Sequence, residues 1–503
     1  MVDPWQVGLD HEQSATNEER RRRGAWYTPR ALVEGLVACA IDDTADPSEL
    51  PAFIVDPTCG GGGFLLGVLD RLVVLGLSAD DALSRVGGLD VDSGAVAATA
   101  AALAAWGRVH GATAVPHLAV RDALLAWPVD WARPDLIVGN PPFATPLKGR
   151  PFPANATEFR ADRADLLGPY ADLAAIHLAN ALEHVAQTGR VCLVLPQSLL
   201  AGRDAAGLRT RCAADAPAVQ IWASSEAVFD AGVRVWAPVL QLGTDPGSAR
   251  LSAGLGVDPV GSSSGTWAEL VADALGTPTV RLDAAQSLGD RVTATAGFRD
   301  EYYGLSAACV EADDERDERP RLVTVGSLDP LRCDWGRTPL KIAKQTWRRP
   351  VVDVSQLEPK IARWLERQLV PKIVLPTQSK VFEPVIDRDG RLAPLTPVIS
   401  IHVDAADLDL VAAMFLAPPV VAWARRRWFG TALSVEAIKL AARDVAVLPT
   451  PNDHDAWAEA ASLVAETANS EDPREVVIEV ARRMNEAYAA ADEVFFWWLD
   501  RLA

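Results

Sequence analysis

Asn140-Pro141-Pro142-Phe143 places an amide side chain, a stiff run of carbonyls and an aromatic face side by side, because prolines lack N–H donors and restrict their own backbone. It follows Leu136-Ile137-Val138, an apolar run that reads as a buried strand. Ligand sites in open α/β sheets lie at such C-terminal strand ends. The Asn140 side-chain oxygen and the Pro141 carbonyl are placed to accept both hydrogens of an exocyclic amine on a planar base, and Phe143 to stack on its ring. The bland alternative is a proline-rich turn in which Asn140 caps locally, so the decision rests on what precedes it.

Upstream, Asp56-Pro57-Thr58-Cys59-Gly60-Gly61-Gly62-Gly63-Phe64 follows the strand-like run Phe53-Ile54-Val55 and opens a helix. Its glycines allow a tight turn and close approach to a bound molecule. The turn lacks the Lys-Ser/Thr ending of a phosphate-binding loop, which disfavours a nucleoside triphosphate. Asp90 ends the next strand, where an acid accepts ribose hydroxyls, and Asp122 ends a third, placed to accept from an adenine amine. Each acid alone is as easily a helix cap; together with the Asn-Pro-Pro-Phe turn they outline a pocket for an adenosyl ligand.

The elements that must position these residues alternate. Thr28-Pro29 opens an amphipathic helix to about Ile41, with Thr28 as N-cap and Pro29 at its first position. Further helices are expected from Phe64 to about Leu75, over 94–106 and over 171–186. Strands are expected at 85–89, 118–120, 136–138, 191–195, 219–223 and 235–242. This alternation predicts a doubly wound, mainly parallel α/β sheet. Residues 1–23 read as a flexible tail, 24–245 as a catalytic domain, 246–452 as a second, α+β domain after a Gly/Ser/Pro-rich linker, and 453–503 as a closing helical segment. In that segment Asp472-Pro473 is expected to cap one long helix through about Leu502, whose Val494–Trp498 end packs on the body or on a partner.

The formal charge of −19 repels nucleic acid at long range, so any such partner needs local positive charge. Residues 331–380 supply it, with eleven Lys/Arg against four acids and Trp335, Trp347 and Trp364 interleaved. Lys341, Lys344, Arg348, Arg349, Lys372 and Lys380 are candidates, joined by Arg425, Arg426 and Arg427 beside Trp428. The competing reading is solvated helix faces. The six cysteines show no CxxC pairing and no His-rich neighbourhood, which favours a reducing cytoplasm and suggests no zinc site or other metal centre. The N-terminus lacks the apolar core of a signal peptide, and no apolar stretch is long enough to span a membrane.

Trp26-Tyr27-Thr28-Pro29, the Asp56–Phe64 turn, Gly88-Leu89-Asp90-Val91-Asp92 and Asn140-Pro141-Pro142-Phe143 occur in the order found in gamma-group adenine-N6 DNA methyltransferases. Residues 24–242 resemble that family in motif order and spacing. Pro371–Leu375, Ala437–Leu440 and Leu448–Pro451 resemble, more loosely, segments of target-recognition domains. The resemblance implies a Rossmann-like methyltransferase fold, S-adenosylmethionine as cofactor and a specific sequence in double-stranded DNA as substrate, within a restriction-modification or phage-defence system. It implies that Thr28, Asp56, Thr58, Cys59, Gly60, Gly62 and Phe64 surround the methionine end of the cofactor, that Asp90 holds its ribose and that Asp122 reads its adenine. It assigns Asn140, Pro141, Pro142 and Phe143 to the target base, with Phe229 as a second stacking aromatic; a lone Phe before a strand is otherwise a core residue.

Direct transfer to an amine needs no covalent intermediate, so Cys59 is not required as a nucleophile. Enzymes that methylate glutamine side chains or RNA guanine carry similar turns, and a cytosine-N4 enzyme more typically has Ser at position 140. A DNA-binding sensor subunit with a vestigial cofactor pocket is the reading from another class. With only about two dozen residues ahead of the first motif, a nuclease partner is expected on a separate chain.

Overall fold

Short apolar runs that cannot remain solvated build the centre of the first of two compact units, Met1–Leu275 and Gly276–Ala503. The computed structural model describes residues 3–14, 28–42, 46–146, 152–223, 234–244, 267–272, 275–283, 286–297, 299–430, 437–467 and 472–502. In the first unit these runs are β1 (Ile54–Asp56), β2 (Val86–Asp90), β3 (His117–Val120), β4 (Leu136–Gly139), β5 (Arg190–Leu193), β6 (Leu195–Pro196), β7 (Ala218–Ala223) and β8 (Val235–Gln241).

The sheet order is β3-β2-β1-β4-β5-β8, with β6 and β7 both pairing β8. The first five strands are parallel, and β8 runs antiparallel to β5. Chain order reverses across β1 and β4, so the crevice at their C-terminal ends is the switch point where open α/β sheets bind ligands. The doubly wound α/β expectation is met.

The helices of this unit are α1 (Pro4–Ser14), α2 (Arg30–Ala40), α3 (Gly63–Val74), α4 (Ala79–Ser84), α5 (Ser93–His110), α6 (Ala154–Ala161), α7 (Leu173–His184), α8 (Ala206–Asp215) and α9 (Ala268–Ala272). The buried faces of α2, α3 and α5 meet the sheet in one core that includes Val33, Ile54, Leu65, Leu69, Leu103, Trp106 and Val138. Trp106 satisfies its indole N–H on Asp70 at 2.7 Å, so a large ring is buried without an orphan donor.

The second unit is α+β. One four-stranded sheet orders 309–311, 350–352, 321–323 and 392–394; another orders 385–387, 372–376, 398–402 and 293–296. Helices 408–415, 418–428, 454–466, 474–487 and 492–502 enclose the largest core, around Phe415, Trp457, Val480, Phe495 and Trp498. Among the described residues no single helix is long and apolar enough to cross a membrane.

Four elements differ from expectation. Residues 4–14, expected within a flexible tail, form α1, whose Trp5 and Val7 pack on the first core. The units divide at 275/276 rather than near 245, because Trp267 and α9 belong to the first unit: Trp267 donates its N–H to the Leu200 carbonyl at 2.7 Å and lies against the Trp236 ring. The closing helix is two helices, 474–487 and 492–502. They are broken at Ala489, which adopts φ 50°, and Asn485 Nδ2 donates to the Ala490 and Ala491 carbonyls. Finally, α2 is capped by Pro29 with no side-chain hydrogen bond, because the Thr28 hydroxyl is engaged elsewhere.

Candidate active site

The Thr28 hydroxyl accepts the Asn140 amide N–H at 3.0 Å, across 112 residues of sequence. This joins the start of α2 to the turn after β4. Asp56 at the end of β1 is almost wholly buried, and its Oδ1 accepts the Thr58 N–H at 2.9 Å. A Cβ at Gly139 would lie 2.6 Å from that oxygen, so only glycine fits ahead of Asn140. The glycine turn and the Asn-Pro-Pro-Phe turn are therefore in direct contact at the switch point.

Gly60 and Gly62 have φ of 51° and 85°, the left-handed backbone that other residues adopt only at a cost. This conformation turns the chain from β1 into α3. Asp90 Oδ2 accepts the Gly60 N–H at 3.0 Å and Oδ1 the Asp92 N–H at 2.9 Å, so the β1 and β2 turns are tied together. Burial raises the Asp90 carboxyl above its ordinary pKa, partly countered by those N–H donors. Asp122, just past β3, accepts the Leu124 N–H at 2.9 Å and a short hydrogen bond from Asn155 Nδ2.

Three acids at the ends of adjacent parallel strands thus border one crevice. The buried Thr58 Oγ1 has no hydrogen-bond partner among the described residues. This donor and acceptor set has the chemistry an adenosyl cofactor with a charged amino-acid end would need: acids for hydroxyls and an amine, and a glycine turn with an unpartnered Thr58 hydroxyl among the described residues for the polar end.

Other expected contact residues are more enclosed. The Cys59 thiol is buried, lies 3.6 Å from the Thr99 hydroxyl and is pushed well up in pKa by burial. Phe64 is a core residue of the same unit. Phe143 is half-buried with part of its ring on that core. Phe229, Trp26 and Tyr27 lie outside the described residues.

Two site residues have no marked sequence signal. Asn155 reaches Asp122 from α6, an element whose position cannot be inferred from spacing. Asp172 caps α7 through the Ala174 N–H at 3.0 Å and accepts the Thr145 hydroxyl at 3.2 Å, beside the Leu173 N–H to Ala144 carbonyl bond. It therefore anchors the chain directly after Phe143, and burial pushes its carboxyl up to about 6. The helix expected over 171–186 starts at Leu173, and the grip of Asp172 on the Asn-Pro-Pro-Phe segment follows only from the fold.

Residues 12–213 match the N-6 DNA methylase family model. Over these residues, about two fifths of the chain, the sequence is similar to the N-6 DNA methylase family. The chain is similar in fold to the DrdV–DNA complex, with TM-score 0.54 and 12% identity over 92% of this chain and 60% of that one. The ATP-dependent Type ISP restriction-modification enzyme LlaBIII bound to DNA gives TM-score 0.51 and 9% identity over 89% of this chain and 40% of that one. The chain thus spans less than two thirds of the length of either neighbour. A type I restriction-modification methyltransferase subunit from Streptococcus thermophilus matches at TM-score 0.34 and 19% identity, over 44% of this chain and 45% of that one. No curated protein matches.

The cationic candidates of the second unit separate into three groups. Lys372 is fully buried and paired with Asp387. Arg425 and Arg426 are also buried, with hydrogen bonds to the Thr277 hydroxyl and carbonyl at 3.2 and 3.0 Å. These three are corrections: their charges hold the interior and do not face a solvent-borne partner. Arg427 is half-buried over the Trp423 ring, 3.9 Å from its centroid, and Arg349 is half-buried with Glu315 3.6 Å away. Lys341, Lys344, Arg348 and Lys380 are exposed. Lys341 and Lys344 sit on the hairpin of strands 340–342 and 345–347, whose turn residues Ala343 and Lys344 both have positive φ.

Proposed function

We propose that the chain transfers a methyl group from S-adenosylmethionine to the N6 amine of an adenine within a specific sequence of double-stranded DNA. The carrying observation is the Thr28–Asn140 hydrogen bond, beside the packing of Asp56 against Gly139. It sets an amide acceptor and a glycine turn on the same crevice. The DNA-bound state of the two fold neighbours supports DNA as the substrate.

S-adenosylmethionine bound there supplies an electrophilic methyl on a sulfonium. Thr58 and the turn from Asp56 to Gly62 hold its methionine end, Asp90 its ribose and Asp122 its adenine amine. With Nδ2 directed at Thr28, the Asn140 oxygen lies on the opposite edge of the amide. It accepts one hydrogen of the target amine, and the Pro141 carbonyl accepts the other. Both contacts strengthen as positive charge develops on N6, localise its lone pair and direct it in line at the methyl. The bound cofactor would supply the methyl with its sulfide as leaving group, and the Asn140 and Pro141 acceptors would hold the amine while its proton is lost to solvent.

The target base must leave the duplex to reach this atom, at a cost of a few kcal/mol. Stacking on Phe143 returns about 1–3 kcal/mol. The exposed Lys341, Lys344, Arg348 and Lys380 contact the phosphate backbone, which lets an acidic protein bind DNA locally. The setting is a cytoplasmic restriction-modification or phage-defence system.

The test is transfer from labelled S-adenosylmethionine to unmethylated genomic DNA, with nucleoside analysis and Asn140→Ala alongside. N6-methyladenine from the wild type alone supports the reading. Product on another base, or an active Asn140→Ala, refutes it.

A further inference from the structure

The glycine turn is gripped from outside the strand that carries it. On one side the Thr99 hydroxyl of α5 donates to the Gly60 carbonyl at 2.7 Å. On the other side α1, which runs along α5, brings its buried Gly8 into backbone contact with Gly61. A Cβ built on Gly8 would overlap the Gly61 carbonyl oxygen, and one on Gly61 would sit 2.6 Å from the Gly8 carbonyl oxygen. Backbones approach this closely only where both partners are glycine.

Trp5, one helical turn earlier, fixes the helix in place. Its ring lies 3.8 Å from where side chains at Gly63 and Gly67 would begin. The Arg30 guanidinium stands over it, 4.8 Å from the ring centroid. Arg30 is itself held by Glu34 at 2.7 Å. One helix thus touches the turn, the first turn of α3 and the start of α2, two residues from Thr28.

We infer that α1 is a clasp on the cofactor turn, with Gly8 and Trp5 as positioning residues for S-adenosylmethionine binding. The inference rests on the proposed role of the Asp56–Gly62 turn. The turn carries two left-handed glycines, so unsupported it samples many conformations; ordering it in advance removes that cost from cofactor binding. Neither residue touches the reacting atoms, so the clasp acts on cofactor affinity and leaves the chemical step alone.

Gly8→Ala in the full chain separates clasp from scaffold. Its Cβ meets the Gly61 carbonyl, so a merely structural α1 loses thermal stability with cofactor Kd unchanged, whereas a clasp lifted off Gly61 loses cofactor affinity. Titration calorimetry with S-adenosylmethionine on wild type, Gly8→Ala, Trp5→Ala and Trp5→Phe gives Kd. Steady-state methylation gives KM and kcat, and thermal unfolding reports the fold. The expected result is a Kd and KM at least tenfold higher for Gly8→Ala and Trp5→Ala, kcat at saturating cofactor within twofold, and near-recovery in Trp5→Phe. A Gly8→Ala variant that binds as tightly as wild type, or more tightly, overturns the clasp while leaving the proposed function standing. A wild type that binds no cofactor overturns both.

Discussion

Asp56, Asp90 and Asn140 in the first unit and Lys372, Arg425 and Arg426 in the second are all polar side chains in or near a buried strand or helix. In the first unit each stands at a strand's C-terminal end, where the sheet stops and a crevice opens. Their polar atoms meet backbone N–H groups, a hydroxyl and one another's turns. In the second unit the three cations are covered by neighbouring elements, Lys372 at the start of its strand and Arg425 and Arg426 in the last turn of their helix, with Asp387 and Thr277 among their partners. Polar groups that border a crevice remain available to a ligand; polar groups covered by packed elements must be satisfied by the protein itself. Exposed Lys341 and Lys344, on a hairpin of the same unit, show that composition alone does not separate the two cases.

The contrast is sharpest at Asn140. Asn140→Ala is expected to lower methyl transfer by about 10³-fold or more, since it removes an acceptor that strengthens in the transition state. Cofactor Kd should stay within twofold. A parallel rise in Kd would make Asn140 part of the cofactor pocket and blur the line between the two turns.

Lys372→Met should cost about 3–5 kcal/mol of stability by leaving Asp387 buried without its cation. Asp387 also accepts the Arg391 and Leu392 N–H groups. The double variant Lys372→Met/Asp387→Leu should recover part of that loss. Chemical denaturation reads both, and a Lys372→Met protein of wild-type stability with weakened DNA binding would return Lys372 to the surface group.

Lys341→Ala/Lys344→Ala should leave the denaturation midpoint unchanged. It should flatten the slope of log K against log salt by about 2, at roughly 0.9 per phosphate contact. An unaltered slope would place the DNA face away from this hairpin.

The smallest effect is expected at Asp172. Burial holds its carboxyl at about 6, against 3.8 ordinarily. A folded-state pKa above the unfolded one favours the fold most below pH 4, and that contribution is lost as pH rises through 6. Between pH 4 and pH 7 the wild type should lose roughly 1–2 kcal/mol of stability relative to Asp172→Asn, allowing for partial exposure. A constant difference across that range would show that the N–H and hydroxyl donors offset burial fully.

The parallel sheet was legible because each strand is a short apolar run bounded by turn residues, and such runs have few alternatives. The site acids were legible for the same reason: Asp56 and Asp90 are the last residues of their runs. The fate of the cations was not legible, because a Lys in Pro371–Leu375 and a Lys in a hairpin look alike until the covering helices are in place. The single closing helix was misread because nothing in Tyr488-Ala489-Ala490 announces a left-handed residue; the break is stabilised by Asn485 reaching forward.

By itself the sequence determined which residues end the strands and how many residues separate the turns, since local periodicity and turn chemistry depend on neighbours along the chain. Only the tertiary structure decided that Thr28 reaches Asn140, that Asn155 reaches Asp122, and that Gly8 rests on Gly61. These are contacts between segments far apart in the chain, and their geometry follows from how helices pack on the sheet, which no local pattern encodes.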